Sequence, residues 1–131
     1  IDNLMLQNQF TYPNIHIISN YFNFNEQGQA EYDENQIIHS FNKNETAISG
    51  HPYAKEIISR PNIILLGNNL GDVQMSDGIE AQTILKIAFL DKPLPDNSDL
   101  NSFLELYDIV ITESGDLSFV NEVIGLFSHQ I

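Results

Sequence analysis

The sequence contains no cysteine, which excludes disulfides and thiolate metal sites and agrees with a reducing, cytoplasmic setting. Basic residues are scarce. Five Lys and Arg stand against eighteen Asp and Glu, giving a formal net charge of −13. A surface of that sign repels phosphate backbones at long range, so no nucleic-acid partner is expected. A small anionic ligand would need local features to hold it: a lysine, a helix N-terminus or a divalent cation. Long hydrophobic runs are missing too. Stretches such as Ile63-Ile64-Leu65-Leu66 suit a buried strand and fall far short of the ~20 residues of a membrane span, so no membrane partner is expected. The chain opens on Ile1-Asp2-Asn3-Leu4 with neither an initiator methionine nor a signal-peptide pattern. This leads us to expect part of something longer, or a processed form. There is no repeat of fixed period, and no Walker loop, nucleophile elbow or dinucleotide fingerprint.

What is present is enough for one globular domain: 131 residues, 42% of them hydrophobic. Ile1 to Phe10 reads as the end of a helix, closed by Pro13, and Asn14 to Ser19 as a buried strand. Tyr21 to Tyr32 alternates around Gly28, a turn residue, and predicts a β-hairpin. A helix is expected from Asn44 to about Ser59, interrupted or started late by Pro52. Asn62 to Leu66 is the clearest strand and runs into the glycine-bounded loop Gly67 to Asp72, where Asp72 could cap a short helix reaching Met75. Thr83 to Leu90 reads as a strand, Asp91 to Asp99 as a loop, Leu100 to Leu106 as a short helix and Tyr107 to Thr112 as a strand. Leu117 to Phe127 has the apolar spacing of an amphipathic helix, expected to dock on the sheet. Alternation of strands and helices from Asn62 onward predicts an α/β fold with a parallel sheet. Ligands of such sheets sit beyond the carboxyl ends of the strands, where the loop after Leu66 lies.

Several stretches then resemble one family in order along the chain. Asn62 to Gly78, with its Gly-Asn-Asn-Leu-Gly-Asp core and Met-Ser-Asp-Gly end, resembles the fourth motif of the cytosolic pyrimidine 5′-nucleotidases, the 5′-nucleotidase III group of the haloacid dehalogenase superfamily. That motif reads Gly-Asp-x-x-Gly-Asp followed by Met-Ala-Asp-Gly. Pro13 to Asn20 and Ile37-Ile-His-Ser-Phe-Asn-Lys43 resemble upstream segments, and Ile84 to Leu90 and Tyr107 to Ile111 resemble the last strands. The resemblance implies a HAD-like Rossmannoid three-layer fold and Mg²⁺-dependent hydrolysis of pyrimidine nucleoside monophosphates. In that chemistry an aspartate attacks phosphorus, a lysine offsets charge, and fourth-motif carboxylates hold the hard cation.

Carried over residue by residue, Lys43 falls on the lysine that supports the phosphoryl group, a catalytic and substrate-binding role. The alternative is a solvated surface lysine. Asp72 falls on the second acid of the fourth motif, which orients the site and lies on its metal side; the alternative is a plain helix cap. Asn68 stands where the family places a magnesium-binding aspartate, and it brings an amide oxygen without charge. Asn69 replaces a small serine.

A larger departure is an absence. No Asp-x-Asp-x-Thr/Ser nucleophile motif precedes Asn14, and the second-motif serine stretch is also missing. Residues 1–131 are therefore expected to be the C-terminal part of a HAD-like hydrolase core domain, incomplete in this chain and inactive alone. By the resemblance, the sheet would run third, second, first, fourth, fifth strand. Asn14 to Ser19 would then be cut off by a gap of roughly 14 Å from the strand at Asn62. The expected partner is an N-terminal half, in the same protein or another chain, with a nucleoside monophosphate as ligand. The competing expectation is a non-catalytic structural or interaction subunit built from a degenerate nucleotidase, and an organellar setting within a larger assembly is the alternative location. His16, His39, His51 and His129 lack ligand spacing, so no zinc site is expected. The acids between Asp91 and Asp116 read as a solvated face.

Overall fold

A computed structural model describes residues 2–31, 37–39, 42–44, 48, 50–90, 98–113 and 115–128. Tyr32, Ser40, Phe41, the first turn expected after Asn44, the loop 91–97 and His129 lie outside the described residues.

Helix α1 spans Asp2–Gln7. The expected hairpin forms as β1 (Asn23–Phe24) and β2 (Ala30–Glu31), paired antiparallel with Phe24 opposite Ala30. Its turn is built by Asn25 and Gly28. The Asn25 carboxamide accepts the Gln27 and Gln29 N–H groups at 3.0 and 2.9 Å, and Gly28 takes φ +74°, a conformation open chiefly to glycine. Helix α2, Ala54–Ile58, begins just after Pro52, as expected of a segment interrupted or started late there.

Strands β3 (Asn62–Gly67), β4 (Thr83–Leu90) and β5 (Ile109–Thr112) form a parallel three-stranded sheet in the order β3-β4-β5. A 3₁₀ helix, Leu70–Ser76, links β3 to β4, and helix α3, Ser98–Leu104, links β4 to β5. The α/β parallel sheet is therefore as expected. The last strand begins two residues after Tyr107 because Asp108 acts as a clasp instead. Its N–H donates to the Lys86 carbonyl at 2.9 Å, and its carboxylate accepts the Lys86 N–H at 2.8 Å. Leu65, Ala88 and Leu90 share one sheet face with Phe103 and Tyr107, and Val73, Met75 and Val110 pack around them. Ile87 is fully buried.

Two expectations are corrected. Asn14 to Ser19 forms no strand, because a strand is defined by a hydrogen-bonded neighbour and none of the described residues pairs with it. The C-terminal helix α4, Ser118–Ser128, is present and starts where the Asp116 carboxylate accepts the Ser118 N–H at 2.9 Å. Its apolar stripe is mostly uncovered, however: Val120 is buried while Ile124 and Phe127 stay exposed.

Candidate active site

The site forms where β3 ends. The chain leaves the sheet at Gly67 and turns at once into the 3₁₀ helix. Asn69, not Asp72, caps that helix: its side chain accepts the Gly71 N–H at 2.9 Å. Asp72 sits at the third helical position and reaches back, completing a capping box. Its Oδ2 accepts the N–H groups of Asn68 at 3.0 Å and Asn69 at 3.3 Å. This geometry follows from the Asn-x-x-Asp spacing, with a short acceptor at the cap and a carboxylate three residues on.

The other oxygen of Asp72 faces Lys43. Lys43 Nζ donates to Asp72 Oδ1 at 2.9 Å, with the aspartate side chain 6% exposed and the lysine side chain 37% exposed. The two residues come from segments 29 positions apart. Burial pushes the Asp72 carboxyl up. The Lys43 hydrogen bond and charge and the Asn68 and Asn69 N–H groups outweigh it, and the carboxyl lies below its ordinary value.

Lys43, Asn68 and Asp72 line one shallow cleft of about 300 Å³ together with Leu66, Gly67, Met75 and Phe89. The three residues singled out from sequence are thus brought to one place, at the carboxyl end of the parallel sheet. Gly67 is required there. A Cβ at this position would lie 2.4 Å from the Tyr107 hydroxyl and 2.7 Å from the Asp72 Cβ. Asn69 and Tyr107 are the residues that sequence reasoning missed as parts of the site. The capping spacing signals Asn69, whereas Tyr107 reaches it only through a contact 38 residues away in sequence.

Magnesium takes oxygen ligands in near-octahedral geometry, with carboxylates supplying charge. The described residues do not fit such a site by themselves. No group of three or more His, Cys, Asp or Glu side chains gathers among them. Asp72 already shares Oδ1 with an ammonium and Oδ2 with two backbone donors, and Asn68 is neutral.

Against this geometry the comparisons agree. A model of the pyrimidine 5′-nucleotidase (UMPH-1) family matches residues 1–127. The chain belongs to that family. Among curated proteins it is 37% identical over 130 residues to the 7-methylguanosine phosphate-specific 5′-nucleotidase of Homo sapiens, covering 98% of this chain and 42% of the relative. It is 33% identical over 125 residues to the protein of the same name from Gallus gallus, covering 95% of this chain and 43% of that one. The crystal structure of cytosolic 5′-nucleotidase IIIB bound to cytidine superposes with a TM-score of 0.79 at 26% identity, over 98% of this chain and 43% of that chain. The fold is accordingly HAD-like. The chain spans about two-fifths of the length of the relatives it matches. Among the described residues no helix is long and apolar enough to cross a membrane.

Proposed function

We propose that residues 1–131 are the C-terminal part of a HAD-like core domain and supply the lysine side of a nucleoside-monophosphate phosphatase site. The observation that carries this reading is the Lys43–Asp72 pair at 2.9 Å, seated at the carboxyl end of β3 in an otherwise acidic molecule. Lys43 has three donors, and Asp72 takes one. The remaining two are directed to phosphoryl oxygens, where a fixed ammonium stabilises charge that grows in the transition state. Asp72 holds the ammonium in place and is itself held by two backbone N–H groups, so it orients and does not attack. The attacking aspartate, and the carboxylates that would hold Mg²⁺, come from residues outside this chain, with the Asn68 amide as a neutral neighbour. The chain alone is inactive on this reading, and a cytoplasmic location accompanies it.

The relatives suggest the substrates to try. Phosphate release from UMP, CMP and 7-methylguanosine monophosphate should be measured with Mg²⁺ and with a chelator. The protein in its full length and residues 1–131 should be assayed side by side. Turnover by the longer protein alone, lost with Lys43→Met and lost on chelation, is expected. A specific observation favours a second reading, that of a non-catalytic structural or interaction subunit: the one carboxylate among the described residues of the cleft is internally satisfied, and Asn68 carries no charge. Absence of phosphate release from all three nucleotides by the full-length protein would establish that second reading over the first.

A further inference from the structure

We propose that Tyr107 is the positioning residue of the Lys43–Asp72 pair, fixing the turn between β3 and the 3₁₀ helix through its hydroxyl. The inference rests on the proposed function for its catalytic consequence, but its structural content stands apart from turnover.

Tyr107 is 4% exposed and anchored from three sides. Its N–H donates to the Phe103 carbonyl at 2.8 Å, and its ring stacks on Phe103 with centroids 5.7 Å apart. Its body belongs to the sheet core with Leu65 and Ala88. From that fixed base the hydroxyl donates to the Asn69 carbonyl at 2.6 Å. Asn69 is the cap of the 3₁₀ helix, and its own N–H points at Asp72 Oδ2. The same carbonyl accepts the Asp72 N–H at 3.2 Å, so holding it fixes Asn69 against Asp72, whose Oδ2 takes the Asn68 and Asn69 N–H groups and whose Oδ1 is left for Lys43. The relay runs from the core to the ammonium through four residues. Glycine at 67 is what admits the hydroxyl, since any Cβ there would meet it at 2.4 Å. Burial, and after it the Asp72 charge, pushes the phenol up to about 12, so the hydroxyl remains a proton donor throughout the physiological range.

The test is Tyr107→Phe in the full-length protein, which removes one oxygen and keeps the stacking ring. Amide exchange at Asn68 and Asn69 should quicken about tenfold, the loss of a single ordering hydrogen bond. Ile87 and Ala88 in β4 should keep their protection. The NMR signal of the Lys43 ammonium, slowed in exchange by its bond to Asp72, should broaden or vanish. Placing 4-aminophenylalanine at 107, which restores a donor on the same ring, should recover both signals. In the phosphatase assay kcat should fall with KM unchanged. Unaltered exchange at Asn68 and Asn69 in a folded Tyr107→Phe protein would overturn the proposal. So would a Tyr107 hydroxyl proton in the unaltered protein that exchanges freely with water, a measurement needing no variant to fold. Loosened amides in a protein that releases no phosphate would leave the positioning role intact and remove only the phosphatase reading.

Discussion

Two stretches of this chain are rich in large apolar residues and meet different fates. From Asn62 to Thr112, three parallel strands close on one another, and Leu65, Ile87, Ala88, Phe103 and Tyr107 are all less than a tenth exposed. From Leu4 to Phe24, the aromatic and aliphatic side chains of Leu4, Leu6, Phe10, Tyr12, Tyr21, Phe22 and Phe24 are each more than half exposed. Composition does not separate the two. What separates them is membership of a sheet with a packed face, since even Phe24, paired with Ala30 in the two-stranded hairpin, is 70% exposed. Asn62 to Gly67 finds Thr83 to Ala88 in register beside it, whereas Asn14 to Ser19 finds no ladder partner among the described residues. Hydrophobic patterning states which side chains require cover, and topology decides whether the same chain supplies it.

The sharpest way to break the comparison is to delete equivalent side chains from both regions. Ile87→Ala removes a fully buried side chain and should cost about 2–5 kcal/mol through lost transfer energy and the cavity left behind. Leu4→Ala removes one that is 65% exposed and should stay within about 0.5 kcal/mol. Urea unfolding of the two variants measures both. Equal losses would mean that the N-terminal apolar residues are covered in the protein as purified. Next in size is Gly67→Ala. The added methyl would collide with the Tyr107 hydroxyl and the Asp72 Cβ, so one must move, at about 1–3 kcal/mol. The cleft should lose more than the sheet does, seen as displaced Asn68 and Asn69 resonances with those of β4 retained.

A smaller effect tests the electrostatics. Because the Asp72 carboxyl lies below its ordinary value in the fold, it adds stability above the unfolded-chain value. That contribution is lost as pH falls through the lower, folded value. Lys43→Met removes the strongest opponent of burial. The folded value then rises, and the acid-side loss of stability begins at higher pH. The cost near neutrality should be about 1 kcal/mol, discounted for the exposure of the lysine. Melting temperature followed from neutral into the carboxylate range checks it, and an unmoved acid limb would show that the pair is not formed in solution.

Much of this was legible in the sequence because it depends on neighbours along the chain. The strands β3, β4 and β5, the Gly28 turn and the amphipathic stripe of α4 follow from local periodicity and glycine placement, whereas the order of the strands across the sheet is what the family resemblance implies. Lys43, Asn68 and Asp72 were found because they sit in ordered motifs, and the structure gathers all three in one cleft. The failures have a common physical cause. The strand expected at Asn14, the cover expected for α4 and the role of Tyr107 depend on contacts distant in sequence. Asp72 and Asn69 are both residue types that cap helices, and only backbone geometry distinguishes the first position, taken by Asn69, from the third, taken by Asp72.

The smallest expected effect separates two ion pairs that look alike on paper. Arg60 and Glu56 are one helical turn apart with side chains 55% and 58% exposed, so water competes for both partners and ordering two long side chains offsets the attraction. Arg60→Ala should therefore cost about 0.3–0.5 kcal/mol, the usual size of such a pair, and raised salt should erase it. Lys43 and Asp72 join segments distant in sequence, and the carboxylate is nearly enclosed, so salt should leave most of that contribution in place. Measuring each variant at low and high ionic strength therefore reads out burial directly. A Lys43→Met loss that high salt erases as fully as the Arg60→Ala loss would mean that the cleft is as wet as the outer surface of α2. The Lys43 ammonium would then hold no pre-set direction for an incoming phosphate.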